Sequence, residues 1–431
     1  MDVDHHPVVT SGRAVDAEPP VYNVKMNQPP RHDIRLLFST RIIRLFCYGF
    51  LSVVLALYLT ETGLDERQVG LLFTLTLAGD AGISLLLTTH ADRFGRKKTL
   101  LIGALLMFGA GAAFVLTRNI TVLMAAAIVG VISPSGNEIG PFLSVEQAGL
   151  AQIIANESRT RIFAWYNLAG SFATATGALA GGWLAQILQG RGWTELESYR
   201  LVLMGYALGG IVLLVLFAGL SQAIEVTDTS EVRHSLGLHR SRAIVLKLSA
   251  LFALDAFAGG LILQSMMAYW FHIKFGVESG LLGSIFFGAN ILAGISALLA
   301  VRLAARFGLI NTMVFTHIPS NILLILVPLM PTLPLAIGLL LVRFSISQMD
   351  VPTRQSYTMA VVAPDERSAA SGVTAIARSV GAALSPALAG LFMSVPLLFN
   401  APFFLTGGLK IVYDLLLYQS FITVPPPEET K

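Results

Sequence analysis

Runs of about twenty apolar residues, separated by short charged turns, dominate this chain and leave it little choice of environment. A bilayer core about 30 Å thick needs roughly 20 apolar residues per helix. Runs of that kind fall near 38–60, 69–90, 99–117, 120–145, 160–188 and 200–221. After a polar stretch carrying Arg233, Arg240 and Arg242, six more fall near 245–272, 280–303, 311–330, 333–356, 368–395 and 399–421. Only 13% of the residues are charged, against about 25% in an ordinary soluble domain, while 54% are hydrophobic and the mean hydropathy is +0.70. The expectation is an all-α integral membrane protein of twelve transmembrane helices, with the lipid bilayer as a partner.

Lys and Arg collect on alternate loops: Arg93 to Lys98, Arg159 and Arg161, the central stretch, Arg302 and Arg306, and Arg354 and Arg367. Cytoplasmic loops favour Lys and Arg, so both termini and the central loop are expected in the cytoplasm, and the host membrane is read as a plasma or cell inner membrane. The domain reading follows: 1–34 a disordered cytoplasmic tail, 35–221 one six-helix bundle, 222–244 a cytoplasmic linker, 245–421 a second bundle, and 422–431 a cytoplasmic tail. The net charge of +3 is small and spread over many loops, which argues against nucleic acid as a partner. Cys47 stands alone, so no internal disulfide can form. No His-rich cluster, phosphate-cradling glycine loop or nucleophile motif stands out; neither a metal nor a cofactor is expected, nor an enzyme.

The densest turn is Ala91-Asp92-Arg93-Phe94-Gly95-Arg96-Lys97-Lys98, between two apolar runs, and a weaker copy, Ala304-Ala305-Arg306-Phe307-Gly308-Leu309, recurs 213 residues later. Near the fifth and eleventh helices an offset of 208 pairs Gln147 with Gln355, Arg159 with Arg367, Ser171 with Ser379 and Gly182 with Gly390. Parallel repeats of six helices imply two bundles about an axis along the membrane normal, with substrate sites at their interface. A monomer is expected.

These features resemble the major facilitator superfamily, whose loop between helices two and three is similar to G-x-x-x-D-R-x-G-R-K. Asp92, Arg93, Gly95, Arg96 and Lys97 match, and Thr88 stands where the family has its leading glycine. Arg306 and Gly308 match the degraded copy. The resemblance implies a secondary transporter of a small organic solute, working by alternating access. It also implies that Asp92 meets the N-terminal dipole of helix eleven. Arg96 with Glu146 would then complete a charge cluster that latches the cytoplasmic side in the outward-open state. Fixing topology is the alternative role for Arg93, Lys97 and Lys98.

Gly177-Ala178-Leu179-Ala180-Gly181-Gly182 in helix five resembles the G-P-x-x-G-G element of proton-coupled exporters, with its repeat partner Ser385-Pro386-Ala387-Leu388-Ala389-Gly390 keeping the proline. That resemblance implies an antiporter working in efflux. Helix packing through Gly177, Gly181, Gly182, Pro386 and Gly390 is the other explanation.

Charges at bilayer depth cost at least about 2.5 kcal/mol on insertion scales, so each is a functional candidate. Asp80, Glu138 and Asp255 are candidate proton or substrate sites, with Glu138 favoured because Ser133-Pro134-Ser135-Gly136 loosens helix four around it. A proton is the expected coupling ion. The competing explanation is neutralisation by Arg44, Arg343 or Arg378; Arg343 and Arg378 also leave an organic-anion site open, and uptake of such a solute is the alternative to export. Lys410 and Asp414 are expected to pair along helix twelve at i,i+4. Pro352 is expected to break helix ten, with Arg354 at the cytoplasmic interface as the second half's gate. Tyr269 and Trp270 are expected in an interfacial belt. A receptor or scaffold that kept the fold without transporting is the alternative class.

Overall fold

The computed structural model describes residues 31–154, 156–225 and 238–423, and among these there are helices and no strands. The first half contains α1 (Arg31–Ser52), α2 (Leu55–Glu61), α3 (Glu66–Phe94), α4 (Arg96–Leu116), α5 (Ile120–Val129), α6 (Phe142–Ile153), α7 (Asn156–Gly190) and α8 (Glu195–Ala218). The second contains α9 (Arg242–Gly260), α10 (Gln264–Phe275), α11 (Ser279–Phe307), α12 (Leu309–Leu326), α13 (Leu333–Phe344), α14 (Asp350–Val361), α15 (Arg367–Met393) and α16 (Ala401–Phe421).

Among the described residues, eight helical spans are long and apolar enough to cross a membrane, or nine when α1 and α2, bent by 46°, count as one. Twelve were expected. The other three expected segments fall on α7 and on two broken pairs, α5 with α6 and α13 with α14. Both breaks have a local cause or consequence. Between α5 and α6, Gly136 and Gly140 take positive φ values of 70° and 81°, which side chains other than glycine adopt rarely. Between α13 and α14 the chain turns at Ser345–Met349, and Pro352 does not end a helix as expected. It sits in the first turn of α14, where a missing N–H costs little.

The expected tails and linker lie largely outside the described residues: 1–30, 226–237 with Arg233, and 424–431. One boundary moves. Residues 31–34, expected in the tail, open α1, and Asp33 is buried there because its carboxylate accepts from Ser221 N (3.0 Å) and Ser221 Oγ (2.5 Å) at the end of α8.

The turn motif is a tight connection in both copies. Gly95 and Gly308 link α3 to α4 and α11 to α12 with φ of 99° and 84°, so each motif glycine is needed for its backbone conformation.

Glycine also lets helices approach backbone to backbone. A Cβ at Gly177 or Gly181 would lie 2.1 Å from the Phe46 or Phe50 carbonyl oxygen of α1, and one at Gly182 would lie 2.3 Å from Ser279 O and 2.8 Å from Gly283 Cα of α11. A Cβ at Gly390 would lie 2.2 Å from Glu66 O and 2.9 Å from Gly70 Cα of α3. The two repeat-related glycines, 182 and 390, therefore hold the two principal contacts between the halves, α7 on α11 and α15 on α3. Pro386 is tolerated inside α15, and beside it Ala387 N donates to Thr74 Oγ1 of α3 at 2.9 Å.

Candidate functional site

In the first half the charges meet between α1, the α5–α6 break and α7. Arg41 and Arg44 lie three residues apart on α1, so they project from one face of that helix. Arg41 Nη1 and Arg44 Nε donate to the two oxygens of Glu138 at 2.8 and 2.7 Å. Arg44 also grips Glu146 with both terminal nitrogens at 2.7 and 2.6 Å. Thr40 Oγ1 (2.7 Å) and the Tyr166 hydroxyl complete the shell of Glu146. Arg44 and Glu146 are fully buried, which is tolerable for charges only because the pair is bidentate and its remaining lone pairs are filled. Glu138, at 15% exposure, is the face of the cluster that solvent reaches.

The expected Arg96–Glu146 pair, a contact of the outward-open state, is not formed in this arrangement. Glu146 is held by Arg44 of α1, while Arg96 reaches Gln152 Oε1 (2.6 Å) and Ile224 O (3.0 Å). Backbone amides of Arg96 and Lys97, at the first turn of α4, donate to Glu225 at 2.7 and 3.0 Å, the favourable place for an anion. Lys97 Nζ caps the carbonyls of Ala218 and Leu220 at the end of α8 (2.7 Å each). Arg93 and Arg306 are exposed. The side chain of Asp92 lies outside those described.

Asp80 differs from the other acids. Its Oδ1 accepts from Gly140 N at 2.6 Å and Ser84 Oγ at 3.1 Å, both neutral donors, and no ion pair to it is found among the described residues.

The second half reverses the arrangement. Here the first long helix, α9, supplies the acid: Asp255 accepts from Lys410 of α16 (2.5 Å), Arg354 of α14 (2.9 Å) and Arg378 of α15 (3.3 Å). Arg354 also holds Asp350 at 3.1 Å. Arg354 is thus buried at 6% exposure and does not sit at an interface as expected. Lys410 does not pair with Asp414 either, because Asp255 captures it; Asp414 binds His317 Nδ1 (2.8 Å) and Asn321 Nδ2 (3.2 Å) of α12. Arg378, at 36% exposure, is where solvent meets this cluster. Arg343 Nε, near the end of α13, is shielded with no partner among the described residues.

Tyr269 and Trp270 form no exposed belt: they are 9% and 0% exposed. The Tyr269 hydroxyl donates to Glu66 across the halves at 2.7 Å, and Trp270 Nε1 donates to Asn400 at 2.9 Å. Further bonds between the halves run from Arg67 to Ser394 (2.9 Å), Trp183 to Ser284 (3.0 Å), Gln264 to Ser52 (2.7 Å) and Gln186 to Glu278. Except for the contacts of Gln264, Ser265 and Thr74 nearer the middle, these lie at the ends of α3, α7, α11 and α15 remote from the basic turn. Farther along α7 and α11 lies a cavity of about 160 Å³ lined by Ser171, Phe172, Asn290 and Ile295, among others.

A family profile for the Major Facilitator Superfamily matches residues 37–386. The chain belongs to this superfamily. One curated relative, the uncharacterized membrane protein YJR124C of Saccharomyces cerevisiae, is 31% identical to this facilitator over 424 residues, covering 91% of this chain and 94% of the relative. Among solved structures, the nucleoside transporter NupG aligns with a TM-score of 0.71 at 15% identity, covering 90% of this chain and 100% of that one. A D-xylose–proton symporter aligns with a TM-score of 0.71 at 15% identity over 90% and 97%. A bacterial homolog of the human lysosomal transporter Spinster, inward-facing and occupied, aligns at 0.66 and 17% identity over 93% and 99%. At these identities the solved structures speak for the fold, and together with the family they place this facilitator among membrane transport proteins. Sequence reasoning missed Arg41, His317 and Glu225. The first two were visible as ionisable residues inside apolar runs.

Proposed function

We propose that this facilitator is a secondary carrier that moves a small organic solute by alternating access, with the solute held between the two charge clusters and protons as the coupling ion. The observation that carries the reading is the asymmetry of closure. Glycine packing and hydrogen bonds that pair an ionisable group with a neutral one join the halves at one end, while Glu138 and Arg378 keep solvent-exposed faces deeper in the molecule. With the basic turn in the cytoplasm, this is the inward-open form. Asp80 replaces Glu138 as the favoured proton carrier, because Glu138 is held by two arginines and Asp80 by neutral donors alone. Export is favoured over uptake on the resemblance of the α7 glycine element.

A second reading of the solute has its own support. Arg378 spends one long bond on an Asp255 already held by Lys410 and Arg354, and its guanidinium faces solvent. A carboxylate or other organic anion is the natural partner for such a group.

Purified protein in proteoliposomes with an imposed pH gradient tests the reading against a panel of neutral, cationic and anionic solutes. Gradient-driven flux of at least one class is expected. No flux across the panel would favour the non-transporting receptor or scaffold instead.

A further inference from the structure

We propose that the His317–Asp414 pair between α12 and α16 is a proton-binding site, separate from the solute-facing clusters and served by the polar face of α12. The proposal rests on the transport reading for its purpose, but not for its geometry.

Thr312, Thr316 and Ser320 fall on one stripe of α12 and His317 with Asn321 on the adjoining one, together a broad polar face of about half the helix circumference that spans roughly 13 Å at the rise of an α-helix. Four of the five are buried: Thr312 at 3%, His317 at 5%, Ser320 and Asn321 at 0%. Thr316 Oγ1 is satisfied by the Thr312 carbonyl at 2.7 Å. Thr312 Oγ1, Ser320 Oγ and Asn321 Oδ1 have no hydrogen-bond partner among the described residues. Buried polar atoms left so carry their full desolvation penalty, and a helix selected for packing alone would not bury three of them between Thr312 and Asn321. A face that passes protons between water molecules and hydroxyls uses each of them.

The pair itself sets the chemistry. His317 Nδ1 lies 2.8 Å from Asp414 Oδ1 and must carry a hydrogen to donate there, which leaves Nε2 as the nitrogen that takes or gives a proton. Asn321 holds the other carboxylate oxygen. The Tyr413 ring stands edge-on to the imidazole at 6.1 Å. Other charges on the neighbouring helices are Lys410 of α16, Arg242, Lys247 and Asp255 of α9, Asp350 and Arg354 of α14, Arg367 and Arg378 of α15, Arg343 of α13, and Arg302 and Arg306 of α11.

Lys410 links the pair to the solute-facing cluster. It bonds Asp255 while standing one helical turn from Asp414. With a proton on His317, the imidazolium balances Asp414 and Lys410 stays on Asp255. With His317 neutral, Asp414 draws Lys410 toward itself and loosens Asp255, which Arg378 shares. Loading one proton on α12 thereby changes how far Asp255 is free to hold Arg378 at the exposed edge of the cluster.

Imidazole C2-hydrogen exchange, followed by peptide mass on the full chain in detergent, reads His317 without any solute. Followed from about pH 5 to 8, the range in which imidazoles exchange protons, the profile of the His317 peptide is expected to bend, and D414N to displace the bend. A flat wild-type profile over that range overturns the proposal and does not depend on any variant folding. A bend that D414N leaves in place overturns the pairing as its cause. Flux is measured separately: a flat profile with intact flux removes the proton site alone, and a bent profile without flux removes the transport reading alone.

Discussion

Gly182→Ala adds a methyl group where the structure has least room for one. The new Cβ would fall 2.3 Å from Ser279 O and 2.8 Å from Gly283 Cα, both backbone atoms that no rotamer change can move aside. Restoring ordinary contact requires α7 and α11 to separate by about 1 Å, and a gap of that size forfeits much of the dispersion along the seam. Overpacking of this kind costs about 1–3 kcal/mol. The cost falls on the closed arrangement and not on one in which α7 and α11 have parted, so it enters the equilibrium between them as roughly a 5–150-fold shift. Gly390→Ala strains the repeat-related seam in the same way, 2.2 Å from Glu66 O. Spin labels on cysteines replacing Ile187 and Ile273, exposed residues on opposite halves near the closed end, report the separation as a distance distribution. Gly182→Ala should add a longer-distance population, and the double variant should enlarge it. An unchanged distribution in a folded double variant would refute the idea that these glycines hold the halves together.

Three further outcomes follow from the clusters and turns. Arg44→Met leaves Glu146 buried without its bidentate partner and should lower stability by about 3–5 kcal/mol; thermal unfolding in detergent should show much of the loss recovered when Glu146→Met is added, and equal loss in both variants would deny the pairing. Asp80→Asn should abolish accumulation driven by a pH gradient while leaving solute exchange at equal pH, measured by counterflow on whichever solute the panel identifies; retained accumulation would remove Asp80 from coupling. Glu366, in the turn before α15, is held down to about 2 by the Ser241 side chain and by backbone amides of His239, Ser241 and Arg240. Its folded value lies below the usual carboxylate value of about 4.3, so its contribution to stability is present above that value and is lost as pH falls through about 2. Glu366→Gln should therefore lower the unfolding temperature at neutral pH, with the difference from wild type shrinking below about pH 4.

Helix positions and the membrane class were legible because apolar runs of twenty residues have one stable environment. The glycine contacts were legible as a spacing, though their partners were not: nothing local says that Gly182 meets Ser279 while Gly177 meets Phe46. Partner choice among buried charges was the least legible. Lys410 and Asp414 satisfy the i,i+4 rule, yet a second acid, Asp255, from a helix 155 residues away in sequence takes the lysine. Asp414 then turns to a histidine that no local pattern connects to it. The same holds for Glu146, where Arg96 stood nearer in sequence than Arg44 and lost. In each case the desolvated pair with the better geometry won over the pair closer along the chain.

The two halves solve the problem of buried charge with opposite signs. In the first, the leading helix α1 carries arginines and the broken α5–α6 segment carries the acids; in the second, α9 carries the acid and α14, α15 and α16 carry the cations. Opposite signs on related positions would suit ion pairs between the halves, but every described pair closes within its own half. Breaking a buried ion pair costs about 3–5 kcal/mol, whereas parting surfaces joined by glycine contacts and single hydrogen bonds breaks no ion pair. The bonds that do cross, such as Tyr269 to Glu66 and Arg67 to Ser394, engage an ionisable group with a neutral one and can be exchanged for water. For a carrier whose halves rock about a central solute, this division confines the costly interactions to rigid bodies and leaves the moving seam cheap to open.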